Sequence, residues 1–175
     1  MKNLLLIAII VLGFSGVSFA QNPSATATAA SSATIITPLT ITNVSGTGDL
    51  LFGSIISNGA IGTVVVSPSA SATATYSGVK PPVGLAGTIQ AASFTVSGMN
   101  SALYTITGLA NFEVKETGGE TMQITNVTAS PAIGALSSMG SQTIYVGATL
   151  NVKTPQKAAL YTSAAGLTIT VAYNW

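Results

Sequence analysis

Apolar residues alternate with Thr, Ser, Asn and Gly over most of this chain, and the alternation has a period of two. SQTIYVGATLNV, residues 141–152, carries Ile144, Val146, Ala148, Leu150 and Val152 at every second position. The closing GLTITVAYNW, residues 166–175, does the same with Leu167, Ile169, Val171, Tyr173 and Trp175. Such alternation places one set of side chains on a buried face and the other in solvent, which is the signature of a half-buried strand. Shorter runs of the same kind are DLLFGSII (49–56), TVVVSP (63–68), ATATYSG (72–78), IQAASFTVSG (89–98), ALYTITG (102–108), FEVKE (112–116) and ETMQITNVTAS (120–130). TIITPLTIT, residues 34–42, reads as a strand interrupted at Pro38, because proline cannot donate to a ladder and is confined to edges and breaks. No window repeats apolar residues at helical spacing, so the expectation is an all-β protein, a sandwich or a barrel.

Turn chemistry separates the runs. TGGE, residues 117–120, lies between two strand-like segments and reads as a hairpin tip, with glycine supplying positive φ. Glu113, Glu116 and Glu120 gather around it and read as a solvated tip; with Lys115 among them they approximate poorly the converging oxygens of a calcium site. No metal and no cofactor are expected.

The first twenty residues follow another logic. Met1-Lys2-Asn3 is a short positive end, Leu4 to Leu12 is apolar, and Ser18-Phe19-Ala20 offers small residues where a signal peptidase reads. Residues 1–20 are expected to be a signal peptide cleaved before Gln21, since the apolar run is short for a membrane span. The mature chain then has 155 residues, with a small-residue segment over 21–33 and a β-domain over 34–175. It is expected in the periplasm or at the cell surface.

Charge and composition narrow the function. Outside the leader there are four lysines (Lys80, Lys115, Lys153, Lys157) against four acids (Asp49, Glu113, Glu116, Glu120), with no arginine, histidine or cysteine. Nucleic-acid binding needs clustered cations to displace counterions from phosphates, so nucleic acid is not an expected partner. Ser-His and Cys-His catalytic arrangements cannot be built, and zinc loses its usual nitrogen and sulfur ligands. A glycosidase would need two carboxyls facing across a cleft, and only Asp49 lies outside the 113–120 hairpin. The expectation is a protein without catalytic activity. Without disulfides, the core must hold by packing alone.

From Ala33 onward, ATIITPLTIT, GDLLFGSI, GTVVVSP, AASFTVSG, YTIT, MQITNV, QTIYVGATLNV and LTITVAYN follow one another. This succession resembles a family of bacterial secreted proteins catalogued as domain of unknown function 4402, described as pilin-like. The most specific parts are the segment Asp49–Gly53 and the VGATLNV-to-Tyr-Asn ending. The resemblance implies an immunoglobulin-like β-sandwich and kinship with subunits of fimbriae, although the disulfide usual in such subunits cannot form here. It also gives the closing strand a role. A periplasmic chaperone, and then a neighbouring subunit of like kind, would add a strand to it, with Leu167, Ile169, Val171, Tyr173 and Trp175 as the partner-strand residues.

The donor side is less well equipped. Residues 21–34 offer only Ala25, Ala27 and Ala29 where large side chains are wanted. Relative to Val or Ile, three alanines forfeit about 5 kcal/mol at ~0.8 kcal/mol per buried methylene. Weak polymerisation, donation by TIITPLTIT and a domain that completes its own fold all remain open, and a minor or non-polymerising surface protein is the preferred expectation. The rival is a small outer-membrane β-barrel, whose last strand also ends on an aromatic with apolar residues at alternate positions. Against it stand a single Trp, at position 175, and too few aromatics for two interfacial girdles. A carbohydrate-binding module would need an exposed aromatic platform that this composition hardly supplies.

Overall fold

A computed structural model describes residues 24–46, 48–57, 59–163 and 166–174. The leader and Trp175 therefore lie outside the described residues. The chain divides into two units, residues 1–35 and 36–175. In the first, residues 24–35 carry no strand or helix and are exposed throughout.

The second unit is all-β among the described residues. Its strands are β1 (Thr40–Asn43), β2 (Leu51–Phe52), β3 (Ile56–Ser57), β4 (Gly62–Val66), β5 (Ala74–Ser77), β6 (Val79–Lys80) and β7 (Ile89–Gln90). There follow β8 (Ala92–Ser97), β9 (Leu103–Thr107), β10 (Phe112–Lys115), β11 (Thr121–Ser130), β12 (Ile133–Ala135), β13 (Ser141–Val152) and β14 (Thr170–Tyr173). The strand over 34–42 begins only at Thr40, two residues after Pro38. The run 49–56 breaks into β2 and β3 because Gly53 turns the chain at φ +70°. β12 was not expected from the alternation.

The larger sheet has the order β1-β8-β13-β11-β10, with β4 pairing β13 and β5 pairing β4. β13 is its spine. Its first half pairs with β8, ending at Val146↔Ala92, and its second half pairs with β4, starting at Ala148↔Val66. Gly147 sits at this change of partner, where a Cβ would lie 2.2 Å from the Val66 carbonyl oxygen, so only glycine lets the two backbones approach. On β13 the predicted inner positions Ile144, Val146, Ala148, Leu150 and Val152 are all buried. β8 contributes Phe94 and Val96, β4 contributes Val64, and β11 contributes Met122 and Ile124 to the same core. A bulge between Thr125 and Thr128, with Asn126 at φ 51°, lets Val127 turn inward beyond it.

The second layer is smaller. β12-β9-β14 form a three-stranded sheet that packs Tyr104 into the core, fully buried. The Tyr104 hydroxyl donates to Gln142 Oε1 of β13 at 2.7 Å, and the same oxygen accepts from the Ala135 backbone N–H at 3.0 Å, joining the layers. The result is a lopsided β-sandwich, seven strands against three. Two irregular segments flank the part of the large sheet's inner face that this layer leaves open. One is 48–57, tied down by the short pairs β2-β7 and β3-β6; the other is 156–163 with Gly166 and Leu167.

Candidate partner-strand site

β14 is the edge of the smaller sheet. It pairs with β9 in the register Thr170↔Thr107, Val171↔Ile106, Ala172↔Thr105 and Tyr173↔Tyr104, and β9 is its one ladder partner among the described residues. The Asn174 N–H donates to the Leu103 carbonyl at 3.0 Å. Backbone groups alternate sides along an antiparallel strand, so the N–H groups of Thr170 and Ala172 also face β9. Those of Ile169 and Val171 then face away from it, along the open edge.

Of the residues singled out from the sequence, Leu167, Ile169, Val171 and Tyr173 are half-buried and pack against the core, with Thr168, Thr170, Ala172 and Asn174 exposed between them. Trp175 lies outside the described residues. One difference is instructive. The strand was expected from residue 166, yet the ladder begins at Thr170. Gly108 turns away at φ +81° just past the end of β9, so residues 166–169 keep the alternation but outrun their partner.

Tyr173 reaches inward with its hydroxyl. Tyr173 Oη donates to the Thr37 carbonyl at 2.7 Å and accepts from the Met99 N–H at 2.6 Å. That contact fastens the last strand to the chain entering β1 and to the turn leaving β8. TIITPLTIT is thereby engaged in its own domain: residues 40–43 pair with β8, and Thr37 is held by Tyr173. Ile35 just before them is exposed.

A groove of about 1270 Å³ continues from Leu167 across the uncovered part of the large sheet. Its floor is Phe94, Met122, Ile124, Leu150 and Val152. One bank is 48–57, bringing Leu50, Phe52 and Ile55; the other is 156–163 with Gly166 and Leu167. Both banks and the open edge of β14 belong to the same 36–175 unit. An apolar groove and, three residues beyond its Leu167 end, a strand with one unpaired edge are the two elements that strand addition uses.

The carboxylates of the 113–120 hairpin correct the sequence reading. Glu116 is buried rather than a solvated tip residue. Its Oε2 accepts from the Gly118 N–H at 2.6 Å and pairs with Lys157 Nζ at 3.1 Å, and its Oε1 accepts from the Glu120 N–H at 3.2 Å. The Gly118 N–H, foremost, holds the Glu116 carboxyl below its ordinary pKa; burial pushes the other way, and the Glu120 N–H and Lys157 help to overcome it. Glu120 Oε2 accepts from Gln156 Nε2 at 3.3 Å, the Lys157 N–H at 3.1 Å and the Tyr161 hydroxyl at 3.3 Å. Lys157, on the segment after β13, is one half of this clasp. Of the hairpin's two glycines only Gly119 takes positive φ, at 102°. No group of three or more His, Cys, Asp or Glu side chains is placed to hold a metal among the described residues.

The family model described as Domain of unknown function (DUF4402) matches residues 39–173. The chain belongs to this family. No curated protein and no solved structure matches it. The matched region runs from Leu39, just ahead of β1, to Tyr173 at the end of β14, so it takes in both banks of the groove and the open strand edge.

Proposed function

We propose that this member of the family is an exported, non-catalytic structural or adhesive protein, a pilus-like subunit or minor surface component, with an immunoglobulin-like sandwich that receives a strand from a partner. The observation that carries the reading is the open edge of β14 together with the apolar groove that starts at Leu167, three residues ahead of that strand. A strand laid there would meet the outward N–H groups of Ile169 and Val171 and place alternate apolar side chains over Phe94, Ile124 and Leu150. Main-chain hydrogen bonds then supply affinity and the groove supplies selectivity. A periplasmic chaperone and like subunits are the partners of this kind. The alanines of 24–34 fill such a groove poorly, which favours a minor component over the main polymer.

The test is a gel of sheared surface material, periplasm and outer membrane from cells making the protein, each sample run boiled and unboiled. A ladder in the unboiled surface sample, or a heat-labile complex of this chain with another subunit, is the expected result. A lone soluble band in every fraction would overturn the strand-receiving role. A membrane-bound band whose mobility shifts on boiling would replace the sandwich by the barrel.

A further inference from the structure

The charge of this chain is unevenly placed. Of the eight charged residues beyond the leader, Glu113, Lys115, Glu116 and Glu120 lie on the β10–β11 hairpin, and Lys153 and Lys157 on the segment that crosses to it. We infer that residues 153–163 form a releasable strap, latched to the hairpin by Glu116, Glu120 and Lys157, and that this strap is the movable wall of the groove. What enters when it opens rests on the strand-receiving reading above.

Three observations carry the inference. First, the strap's attachment is chiefly polar and peripheral. Glu120 Oε2 collects three of its groups, Glu116 pairs with Lys157, and the Thr162 and Lys115 backbones exchange hydrogen bonds at 3.0 and 2.8 Å. Tyr161 is the strap residue that packs against the core; Leu160 beside it is 81% exposed. A segment held by exposed hydrogen bonds and few apolar contacts belongs to the low-stability end of a fold. Second, the opposite bank is differently built, being stitched to β6 and β7 by ladder pairs, so one wall is fixed and the other fastened. Third, the strap's residues 156–163 line the groove, so its displacement widens the opening above Met122 and Val152.

The strap can be released and locked separately. Glu120→Ala with Lys157→Ala removes the strap's side-chain anchors on the hairpin, leaving the Lys115–Thr162 backbone pair and the Thr154 Oγ1 bond to the Gly59 carbonyl, while sparing Glu116 and its hydrogen bonds within the hairpin. Lys115→Cys with Thr162→Cys should form a disulfide, because directly opposed residues of a hydrogen-bonded antiparallel pair have Cα atoms about 5.5 Å apart. The chain has no other cysteine to compete.

Amide hydrogen exchange and anilinonaphthalene sulfonate fluorescence are read on the isolated protein. In the release variant, exchange over 156–163 should rise about tenfold, as expected for losing several exposed hydrogen bonds and one ion pair. Exchange along β13 should be unchanged and dye fluorescence should rise; the oxidised cysteine pair should lower both strap exchange and dye fluorescence. Unchanged strap exchange, or an equal rise along β13, would overturn the latch. Faster strap exchange with dye fluorescence unmoved in both variants would overturn the gating of the groove. Neither readout involves assembly, so a failed surface ladder leaves this test standing, and a failed latch leaves the ladder to its own test.

Discussion

Replacing Tyr173 by phenylalanine removes one oxygen from a site where three segments meet. In the native chain that oxygen donates to Thr37 O and accepts from Met99 N, and both contacts are under 2.8 Å. The ring remains to pack on the core, so no sizeable cavity is made. The loss is two hydrogen bonds, and the Met99 N–H is left without this acceptor in a part-buried position. At about 0.5–1.5 kcal/mol per net hydrogen bond, Tyr173→Phe should destabilise the domain by about 1–3 kcal/mol. For a domain of this size that lowers Tm by roughly 3–10 °C. Urea titrations of wild type and variant, followed by circular dichroism, should show a lower midpoint with an unchanged slope, since the surface exposed on unfolding is the same. A midpoint equal to the wild type's would refute the reasoning and mean that solvent replaces the Tyr173 hydroxyl without cost.

Further expectations follow from the packing and the ionisation. Gly134→Ala would put a Cβ 1.8 Å from the Tyr104 ring, so it should destabilise by about 1–3 kcal/mol in the same titration, with exchange along β12 rising first. Ile144→Ala empties the fully buried centre of β13 and should cost about 2–5 kcal/mol. Glu116 titrates below its ordinary value in the folded chain, so the unfolded chain takes up its proton more readily; its contribution is complete above the ordinary carboxylate range and fades as pH falls through the folded value. Exchange over 116–120 and 156–163 should therefore rise as pH falls below the ordinary carboxylate range, ahead of β13. Val171→Pro deletes an outward N–H while leaving the bonds to β9 in place; it should abolish heat-labile complexes in the surface gel, whereas Thr168→Ala, exposed just before the strand, should not.

The long elements were legible because their periodicity is strong. Ile144 to Val152 alternate without interruption, and all five inner positions are buried. Pro38 marked a real break because its geometry is local. What escaped was set by contacts distant in sequence. β12 has three residues, with Gly134 seated on the Tyr104 ring and Ile133 exposed, so no alternation announces it. Residues 166–169 look like strand, but whether they pair depends on where β9 ends at Gly108. The inward face of the closing strand was legible at Leu167, Ile169, Val171 and Tyr173; its position at a sheet edge was not, because edge and interior strands share the same alternation. The clasp was hidden for a similar reason. Glu116 and Lys157 are 41 residues apart, so their pairing is set by a contact distant in sequence.

Strand addition at β14 is tested most directly by residue-resolved amide exchange over 166–174, comparing the isolated domain with assembled material from the cell surface. In the isolated domain the Thr170 and Ala172 amides should be protected by β9 while those of Ile169 and Val171 exchange freely. In the assembly Ile169 and Val171 should become protected as well. Ile169 and Val171 amides that exchange at the same rate in both states would contradict the account, because the open edge would then have received no strand.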